Sequence, residues 1–379
     1  MRPVYVRSGG AVTPAGVGAA ALARALGDVS WRATLGLDRT DAPALPVAVC
    51  RDFSPREHLP PLVARRLDRP ARLLAVAARE ALAGSGLDAD LDRERCGIAA
   101  GTWNAGTEAL IEVLKTVFLS SPDEAPPAQF PSTVANAPAS QVGIIEKLGG
   151  PNLTFFEKQV GGLRAAIEAA RLVRDGRADA ALACAVDEAH WLNAEGFERL
   201  RALARAGRAG MVLGEGATAL MLASTPQTAH SAAIAAWGAA SEPAPPHLYP
   251  VEPGALERAC RQALERSRLG PEDVDLLISA HNGLAAVERL EEVAYRSVFP
   301  SRRPAAFAVT DRLGEGAIGG GTRILAAVLA MQGGCVPAWG PPGHLLREGF
   351  TALRERPRTV LVTGVAAGGS ALALVLTAP

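Results

Sequence analysis

Apolar positions along the chain follow two alternating spacings. Short, continuous apolar runs are typical of strands that are buried on both faces of a sheet. Such runs occur at residues 96–102, 152–156, 178–186, 216–224, 232–240, 274–280, 305–310, 358–366 and 371–378. Between many of these runs, alanine-rich segments carry apolar residues at helical spacing. This alternation predicts an α/β protein in which helices pack on mostly buried sheets.

Two pairs of similar segments occur in the same order along the chain. AREALAGSGL (78–87) and CRQALERSRL (260–269) each end a helical pattern shortly before an apolar run. GATALMLAS (216–224) and GGSALALVL (368–376) each pass from a glycine turn into a buried strand. Because internal similarity of this kind indicates that one arrangement of elements is used twice, we predict two halves with a shared plan.

Length and composition agree with a two-part protein. The chain has 379 residues, of which 49% are hydrophobic, enough to bury a sizeable core. The proline-rich segment SEPAPPHLYPVEP (241–253) is the best internal boundary. We therefore predict one half at residues 1–240 and the other at residues 241–379.

Charge and cysteine content argue against several classes of function. The 39 basic and 39 acidic residues give no net charge, which disfavours a general nucleic-acid binder and gives no signal for a membrane surface. The five cysteines form no CxxC pair and have no histidine nearby at metal-binding spacing. The N-terminus lacks the apolar core of a signal peptide, and no run approaches the roughly 20 apolar residues that span a bilayer. We expect a cytoplasmic protein without metal, nucleic-acid or membrane partners.

A sharp turn is predicted between the strand NLTFF (152–156) and the helix GGLRAAIEAARLVRDG (161–176). Such a turn aims one side chain into a cleft and points the N–H groups at the helix start toward whatever binds there. Enzymes often place a nucleophile at this position. Here the side chain is Gln159, whose amide is not nucleophilic but can donate and accept hydrogen bonds.

Five segments, together with the duplicated layout, resemble the β-ketoacyl synthases of the thiolase superfamily. They are GGAVTPAGVG (9–18), RRLDRPARLLAVAAREALAGSGL (65–87), FPSTVANAPASQVG (130–143), GPNLT (150–154) and VLGEGATALML (212–222). The resemblance covers nearly the whole chain. It implies a thiolase fold, in which duplicated halves form a five-layer αβαβα sandwich, and a dimer. It also implies condensation of acyl groups by a cysteine, two histidines and a supporting lysine.

Most of the catalytic positions implied by this resemblance hold other residues here. The matching positions are Gln159 for the cysteine, His281 for the first histidine, Thr310 for the lysine, Glu315 for the second histidine and Ala367 for a gating phenylalanine. Asn282 follows His281 where glycine is usual. Condensation needs a thiolate and donors that polarise the thioester while an enolate forms, and a carboxylate at Glu315 would repel that enolate. We predict that this chain has lost condensing activity.

The segment EKQVGGLRA (157–165) resembles one branch of the family further. In the chain length factor, or β subunit, of bacterial type II polyketide synthases, glutamine occupies the cysteine position in a context like EQAGGLDA. Relatives in aryl-polyene and other highly reducing systems are similarly short, and sequence alone does not separate these from aromatic systems. The resemblance implies a heterodimer with a catalytic ketosynthase, whose interface holds the growing chain, and an acyl carrier protein as a further partner. It implies no cofactor beyond the phosphopantetheine of that carrier protein.

Two further sets of residues follow from this resemblance. The candidates for lining the tunnel or meeting the partner are Trp103, Asn104, Thr107, Phe130, Ser132, Phe155 and Phe156. Trp103 is equally consistent with a core residue, and we expect one of the two phenylalanines at 155 and 156 to face the core and the other the partner. The candidates for docking the acidic carrier protein are Arg65, Arg66, Arg69 and Arg72, although a run of charges like this is usually a solvated helix face.

Alternative interpretations of the site remain open at this stage. Gln159 is a structural plug in the simplest case, and His281 is then a relic. Alternatively, Gln159 and His281 serve a malonyl-carrier-protein decarboxylase, or the chain is a degenerate homodimer that binds acyl thioesters. We expect Glu215 to be buried and hydrogen-bonded, and Glu315 to cap a helix or to lie at an interface.

Overall fold

The computed structural model describes residues 2–28, 30–39, 42–87, 91–228, 231–333, 353 and 355–379. The strands are β1 Tyr5–Thr13, β2 Gly16–Val17, β3 Leu35–Arg39, β4 Ala42–Ala48, β5 Cys96–Gly101, β6 Asn152–Phe155, β7 Ala180–Asp187, β8 Leu213–Gly214, β9 Gly216–Ala223, β10 Ala232–Ser241, β11 Leu276–Ser279, β12 Ala305–Ala308, β13 Thr359–Val365 and β14 Ser370–Thr377. The helices are α1 Ala19–Gly27, α2 Pro61–Arg66, α3 Arg69–Ala83, α4 Thr107–Leu119, α5 Ala137–Ile145, α6 Gly161–Arg174, α7 Trp191–Arg199, α8 Gly254–Ser267, α9 Ala285–Val298, α10 Thr310–Leu313 and α11 Ile318–Gln332.

The strands of the two halves pair in the same pattern. In the first half, β5 runs parallel to β6 and β7, and β7 runs antiparallel to β9. In the second half, β11 runs parallel to β12 and β13, and β13 runs antiparallel to β14. A short pairing of β1 with β10 joins the halves in the order β12-β11-β13-β14-β10-β1-β9-β7-β5-β6. The shared plan predicted from the sequence is confirmed.

The helices complete five layers. The helices α6 and α11 pack against each other and against strands of both halves, in one core that includes β1, β9 and β14. The helix α3 covers the outer face of the first half, and α8 and α9 cover the outer face of the second. Alanine is the most frequent buried residue of α3 and α6, which lets these two helices lie close to the sheet. The predicted five-layer sandwich is confirmed.

The strand β1 was not predicted, although it lies in the middle of the sheet. Its sequence, YVRSGGAVT, contains two adjacent glycines that weaken the strand pattern. The structure explains one of them, because a Cβ atom on Gly10 would lie 2.1 Å from the carbonyl oxygen of Ala77 in α3. The small sheet β3-β4-β8 was also missed. The predicted division at residues 240 and 241 stays a prediction; β10 ends at Ser241 and pairs with β14.

Candidate functional site

A sharp turn at Lys158–Val160, which we call the elbow, joins β6 to α6. Lys158 adopts a left-handed backbone conformation with φ of 51°, and a short 3-10 turn spans Lys158–Val160. Gly162 lets α6 approach α11, because a Cβ atom there would lie 2.3 Å from the carbonyl oxygen of Ala317. The turn therefore holds Gln159, which is only 2% exposed, at the buried start of α6.

Gln159 is hydrogen-bonded to a tyrosine from a distant loop. Its Nε2 atom donates to the hydroxyl oxygen of Tyr249 at 2.8 Å, and the Nδ2 atom of Asn282 donates to the same oxygen at 2.9 Å. Burial, with a smaller contribution from the Glu315 carboxylate, raises the pKa of Tyr249, so its hydroxyl stays neutral. The hydroxyl oxygen of Tyr249, in the proline-rich segment, therefore accepts hydrogen bonds both from Gln159 and from Asn282, the residue after His281.

His281 and Thr310 also lie together. The main-chain N–H of His281 donates to Ser279 Oγ at 3.0 Å, and the hydroxyl of Thr310 donates to the carbonyl oxygen of His281. The Nδ1 atom of His281 lies 3.9 Å from a carboxylate oxygen of Glu288. Thr310, at the position of the lysine, thus supports the backbone that carries the histidine.

Glu315 forms an ion pair inside the chain. Its Oε2 atom lies 3.2 Å from Nη2 of Arg323, and the two side chains are 1% and 0% exposed. The N–H of Gly316 donates to Glu315 Oε1 at 2.9 Å. Burial raises the pKa of Glu315, and Arg323 opposes that rise. The expectation that Glu315 caps a helix or faces an interface was wrong, because the N-cap residue of α11 is Ala317 and the buried Glu315 carboxylate is balanced by Arg323 in the second turn of that helix.

Ala367 lies on the turn between β13 and β14. Its carbonyl oxygen accepts a hydrogen bond from Nζ of Lys158 at 3.0 Å, and the same Nζ donates to the carbonyl oxygen of Pro246. Lys158 therefore ties the elbow both to this turn and to the proline-rich segment. Contacts thus link Ala367, through Lys158, to the elbow at which Gln159 meets Tyr249 and Asn282.

Three of the predicted tunnel residues meet at the start of α4. The ring of Trp103 packs edge-on against Phe197 with centroids 5.0 Å apart. The main-chain N–H of Trp103 donates to a carboxylate oxygen of Asp187 at 2.7 Å. The hydroxyl of Thr107 donates to the carbonyl oxygen of Asn104 at 2.6 Å. These contacts give Trp103 a partly buried, well-supported position.

Trp103 borders a cavity that reaches Glu315, one of the positions matched to the family's catalytic residues. The cavity has a volume of about 60 Å³ and its wall includes Glu315. The other lining residues are Val47, Asn104, Asp187, Glu188, Ala189, His190, Asn193, Phe197, Leu213, Gly214 and Gly316. Phe130 and Ser132 do not line it: Phe130 is 65% exposed and Ser132 borders a separate groove.

Phe155 and Phe156 point to different environments. Phe155 is partly buried against the central core, whereas Phe156 is 60% exposed at the end of the edge strand β6. Phe156 belongs to a set of large exposed apolar side chains on α4, on the loop that packs against it and at β6, which we call the α4–β6 face. Its members are Leu110, Leu114, Phe118, Leu119, Phe130, Val134 and Phe156. A contiguous exposed apolar patch is typical of protein interaction sites.

The four candidate docking arginines have different surroundings. Arg65 and Arg66 are exposed and border a groove of about 660 Å³. Arg69 forms two contacts of 2.6 Å with the carboxylate of the buried Glu215. Arg72 donates through Nε to a main-chain carbonyl oxygen at 2.8 Å. Two of the four are therefore engaged within the chain, and the expectation of a hydrogen-bonded Glu215 is confirmed.

The family of the chain follows from its sequence matches. Residues 51–228 match the N-terminal domain of β-ketoacyl synthases, and residues 231–340 match the C-terminal domain. The chain belongs to the β-ketoacyl synthase family. It is 30% identical to the ketoacyl synthase β subunit of the tetracenomycin polyketide synthase of Streptomyces glaucescens, with 99% of this chain and 98% of that protein covered. It is 29% identical to nodulation protein E of Rhizobium leguminosarum bv. trifolii, over 72% of this chain and 71% of that protein.

Solved ketosynthase structures share the fold. The ishigamide ketosynthase/chain length factor superposes with a TM-score of 0.84 at 20% identity, over 100% of this chain and 99% of that chain. The ketosynthase ApeO in complex with its chain length factor ApeC from Xenorhabdus doucetiae gives 0.84 at 19% identity, over 100% and 98%. The predicted thiolase fold is confirmed. Among the described residues, no helix is long and apolar enough to cross a membrane.

Sequence reasoning missed two residues of this ketosynthase-like site. Tyr249 is one of only three tyrosines in the chain and lies in the proline-rich segment. Arg323 interrupts an otherwise apolar helix, α11, and a charged residue at such a position signals a buried partner. Both residues could be singled out in the sequence, but the sequence does not indicate which side chain each of them contacts.

Replacing Arg69 separates a structural role from a docking role. We expect Arg69→Ala to lower the free energy of unfolding by about 3 kcal/mol, because the buried Glu215 carboxylate loses its counter-charge. The matched change Arg66→Ala removes an exposed arginine from the same segment and should alter the unfolding free energy by less than about 0.5 kcal/mol. Chemical denaturation measures both, and equal losses would contradict the assignment.

The buried carboxyl group of Glu188 makes stability depend on pH. Burial raises its pKa from 4.5 to about 7, and Asp68 and Glu108 add to the rise. Since the folded-state pKa exceeds the unfolded one, the stabilising contribution is complete below pH 4.5 and is lost as pH rises through about 7. We expect Glu188→Gln to gain stability over the parent across this interval, up to about 3 kcal/mol at pH 8.

The measurement is the unfolding free energy from pH 4.5 to pH 8, the interval of the raised pKa. Glu112→Gln is the matched control, because its side chain is 43% exposed and borders the same groove. We expect the control to follow the parent profile. If the unfolding free energy of Glu188→Gln and of the parent changed with pH in the same way, ionisation of Glu188 would not lower the stability of the folded protein.

Proposed function

We propose that this chain is a non-condensing, ketosynthase-like subunit that pairs with an active ketosynthase and shapes the tunnel that sets polyketide chain length. The observation that carries the proposal is the bonding of Gln159. At the position of the nucleophile, a buried amide is engaged by Tyr249, whose hydroxyl also binds Asn282. The position of the second histidine holds Glu315, paired with Arg323. This arrangement offers no nucleophile and places a negative charge where a catalytic histidine would stand.

The α4–β6 face supports the heterodimer. Its exposed leucines and phenylalanines would be costly to leave in water in a subunit that worked alone. The face includes the end of β6, an edge strand whose unpaired backbone groups can meet a partner. Solved relatives include a ketosynthase in complex with its chain length factor, and a type II acyl carrier protein in complex with its ketosynthase. The proposed partners of this chain are the same two classes of protein.

The proposed tunnel role depends on Trp103. Its ring, supported by Phe197, stands at the cavity that extends to Glu315, whereas Phe130 lies on the α4–β6 face. Trp103 is the bulkiest side chain that borders this cavity, and removing it would enlarge the space for an acyl chain. We therefore assign Trp103 to the closed end of the tunnel and the α4–β6 face to the contact with the ketosynthase.

The first test is the assembly state of the protein. The chain is co-expressed with a cysteine-containing ketosynthase of the same organism and analysed by native mass spectrometry. A one-to-one heterodimer supports the proposal. A stable homodimer that ignores the ketosynthase would contradict it and would favour the decarboxylase or the acyl-thioester-binding protein. Release of carbon dioxide from malonyl-carrier protein by the isolated chain would then identify the decarboxylase.

A change at Trp103 tests the tunnel assignment. We expect Trp103→Ala in the reconstituted complex to lengthen the main product by at least one two-carbon unit, because the closed end of the tunnel recedes. Product masses give the readout, and total synthesis should persist. Trp191→Ala is the control, since Trp191 is 48% exposed and does not line the cavity. Unchanged product lengths in Trp103→Ala would contradict the assignment.

A further inference from the structure

We propose that Tyr249 closes the vestigial active site, so that this subunit takes up no phosphopantetheine-linked thioester at the position of the lost cysteine. This inference rests on the proposed function, because it assumes that the pocket has no catalytic role. It adds a residue that no motif of the family singles out. The inference depends on the position of the Tyr249 hydroxyl oxygen and on the contacts that hold the proline-rich segment in place.

The hydroxyl oxygen of Tyr249 lies between two groups that face the former reaction centre. It is 2.8 Å from Nε2 of Gln159 and 2.9 Å from Nδ2 of Asn282. In an acyl-transfer site, the reacting carbonyl must lie about 3 Å from both the nucleophile and the hydrogen-bond donors. An atom within 3 Å of the elbow side chain and of the residue after the retained histidine therefore occupies the space that a thioester would need.

The segment that carries Tyr249 is held by Lys158 and by the β13–β14 turn. Nζ of Lys158 donates to the carbonyl oxygen of Pro246. The N–H of Gly368 donates to the carbonyl oxygen of Leu248 at 2.8 Å, and the N–H of Glu242 donates to the carbonyl oxygen of Gly369 at 2.9 Å. Residues 245–248 are exposed, whereas Tyr249 is partly buried and packs against the core of the second half.

The glycines of the β13–β14 turn fit this closed arrangement. Gly369 has φ of 97°, and a Cβ atom there would lie 1.7 Å from the carbonyl oxygen of Glu242. The turn therefore lies directly against the backbone of the proline-rich segment. A thioester could enter only if Tyr249 left both amides and the segment moved away from this turn.

The test uses a thiol placed at the elbow. Gln159→Cys is made in the full chain, purified with its ketosynthase, and treated with a pantetheine chloroacetamide. The thiolate displaces chloride and forms a carbon–sulfur bond, and the labelled peptide is quantified by mass spectrometry over time. Because thiol reactivity depends on access, we expect the thiol at position 159 to be labelled slowly in this variant. Adding Tyr249→Ala should raise the labelling rate at least about tenfold.

Two further variants control the comparison. Tyr249→Leu removes the hydroxyl and the outer part of the ring but keeps an apolar side chain against the core, and it should also speed labelling. Leu248→Ala changes the neighbouring side chain, which is 50% exposed, and should leave the rate as in Gln159→Cys alone. The buried Cys96, Cys184 and Cys260 report unfolding, because they are labelled only if the fold opens.

The outcomes separate this inference from the proposed function. Fast labelling of Gln159→Cys with Tyr249 in place, at the rate of an exposed thiol, would overturn the closure. Equal rates with and without Tyr249→Ala and Tyr249→Leu, while the buried cysteines stay unlabelled, would also overturn it. Neither result affects the heterodimer, which native mass spectrometry measures on the same samples.

Discussion

Arg323→Met is expected to lower the free energy of unfolding by about 3–5 kcal/mol, because it leaves the Glu315 carboxylate buried without its counter-charge. The pKa of Glu315 is already raised by burial, and without Arg323 it rises further. A raised folded-state pKa means that stability is lost as pH rises, so the deficit should be larger at pH 8 than at pH 5. Chemical denaturation at the two pH values measures this difference.

The double variant isolates the interaction between the two side chains. Glu315→Gln with Arg323→Met replaces both charges by neutral groups of similar size, and we expect it to recover most of the loss caused by Arg323→Met. Arg199→Met serves as the control, because Arg199 is 80% exposed and pairs with Glu195 on the surface of α7. Its loss should stay below about 0.5 kcal/mol. Additive effects of the Glu315 and Arg323 changes would show that the ion pair contributes nothing.

The ion pair also bears on attempts to restore condensation. Returning histidine to position 315 would leave Arg323 buried without a carboxylate, so the change that restores one catalytic group removes a structural one. The same holds at the elbow, where a cysteine would no longer donate to Tyr249. If the chain is non-condensing as proposed, restoring condensation would therefore need several coordinated changes in its packing.

Phe156→Asp is expected to disrupt the proposed heterodimer with a ketosynthase and, with it, the polyketide synthesis proposed for that complex. Phe156 is 60% exposed at the end of edge strand β6, in the α4–β6 face. A carboxylate buried at such a contact would lose its hydration without a partner, which should weaken association by at least about 100-fold, or roughly 3 kcal/mol. Native mass spectrometry across a dilution series of the co-expressed complex measures the change.

Val293→Asp is the matched control for the interface. Val293 is 53% exposed on α9, which covers the outer face of the second half, away from β6. The same new charge at this position should leave the heterodimer and its products unchanged. A heterodimer that persists in Phe156→Asp would place the ketosynthase elsewhere on the surface, while a loss in both variants would point to misfolding, which circular dichroism would reveal.

Much of the fold could be read from local pattern, and the errors have physical causes. The nine apolar runs all fall on observed strands, because a strand buried on both faces must be apolar along its length. The strand β1 was not predicted, because Gly10 is required by the close approach of α3 and does not mark a turn. Contact with a distant helix overrode the local signal.

The candidate site divides in a similar way. Gln159, His281, Thr310, Glu315 and Ala367 were located from motifs. The structure links Gln159, His281, Thr310 and Ala367 through short contacts made by them or by their neighbours in sequence. The arginines of ARRLDRPAR could not be told apart, because Arg69 is distinguished by Glu215, which is 146 residues away. Likewise Ser132 and Trp103 were grouped together, although they border different spaces. Spacing along the chain does not report which side of an element meets which partner.

The sequence by itself determined the α/β class, the duplicated plan, the family and the absence of a cysteine at the elbow. These depend on residue identity and on short-range periodicity, both of which are properties of the chain alone. Only the tertiary structure decided that Tyr249 bonds to Gln159, that Arg323 neutralises Glu315 and that large apolar side chains of α4 and the end of β6 are exposed. Each of these depends on contacts between segments far apart in sequence, and burial, which sets their energies, exists only once those segments have packed.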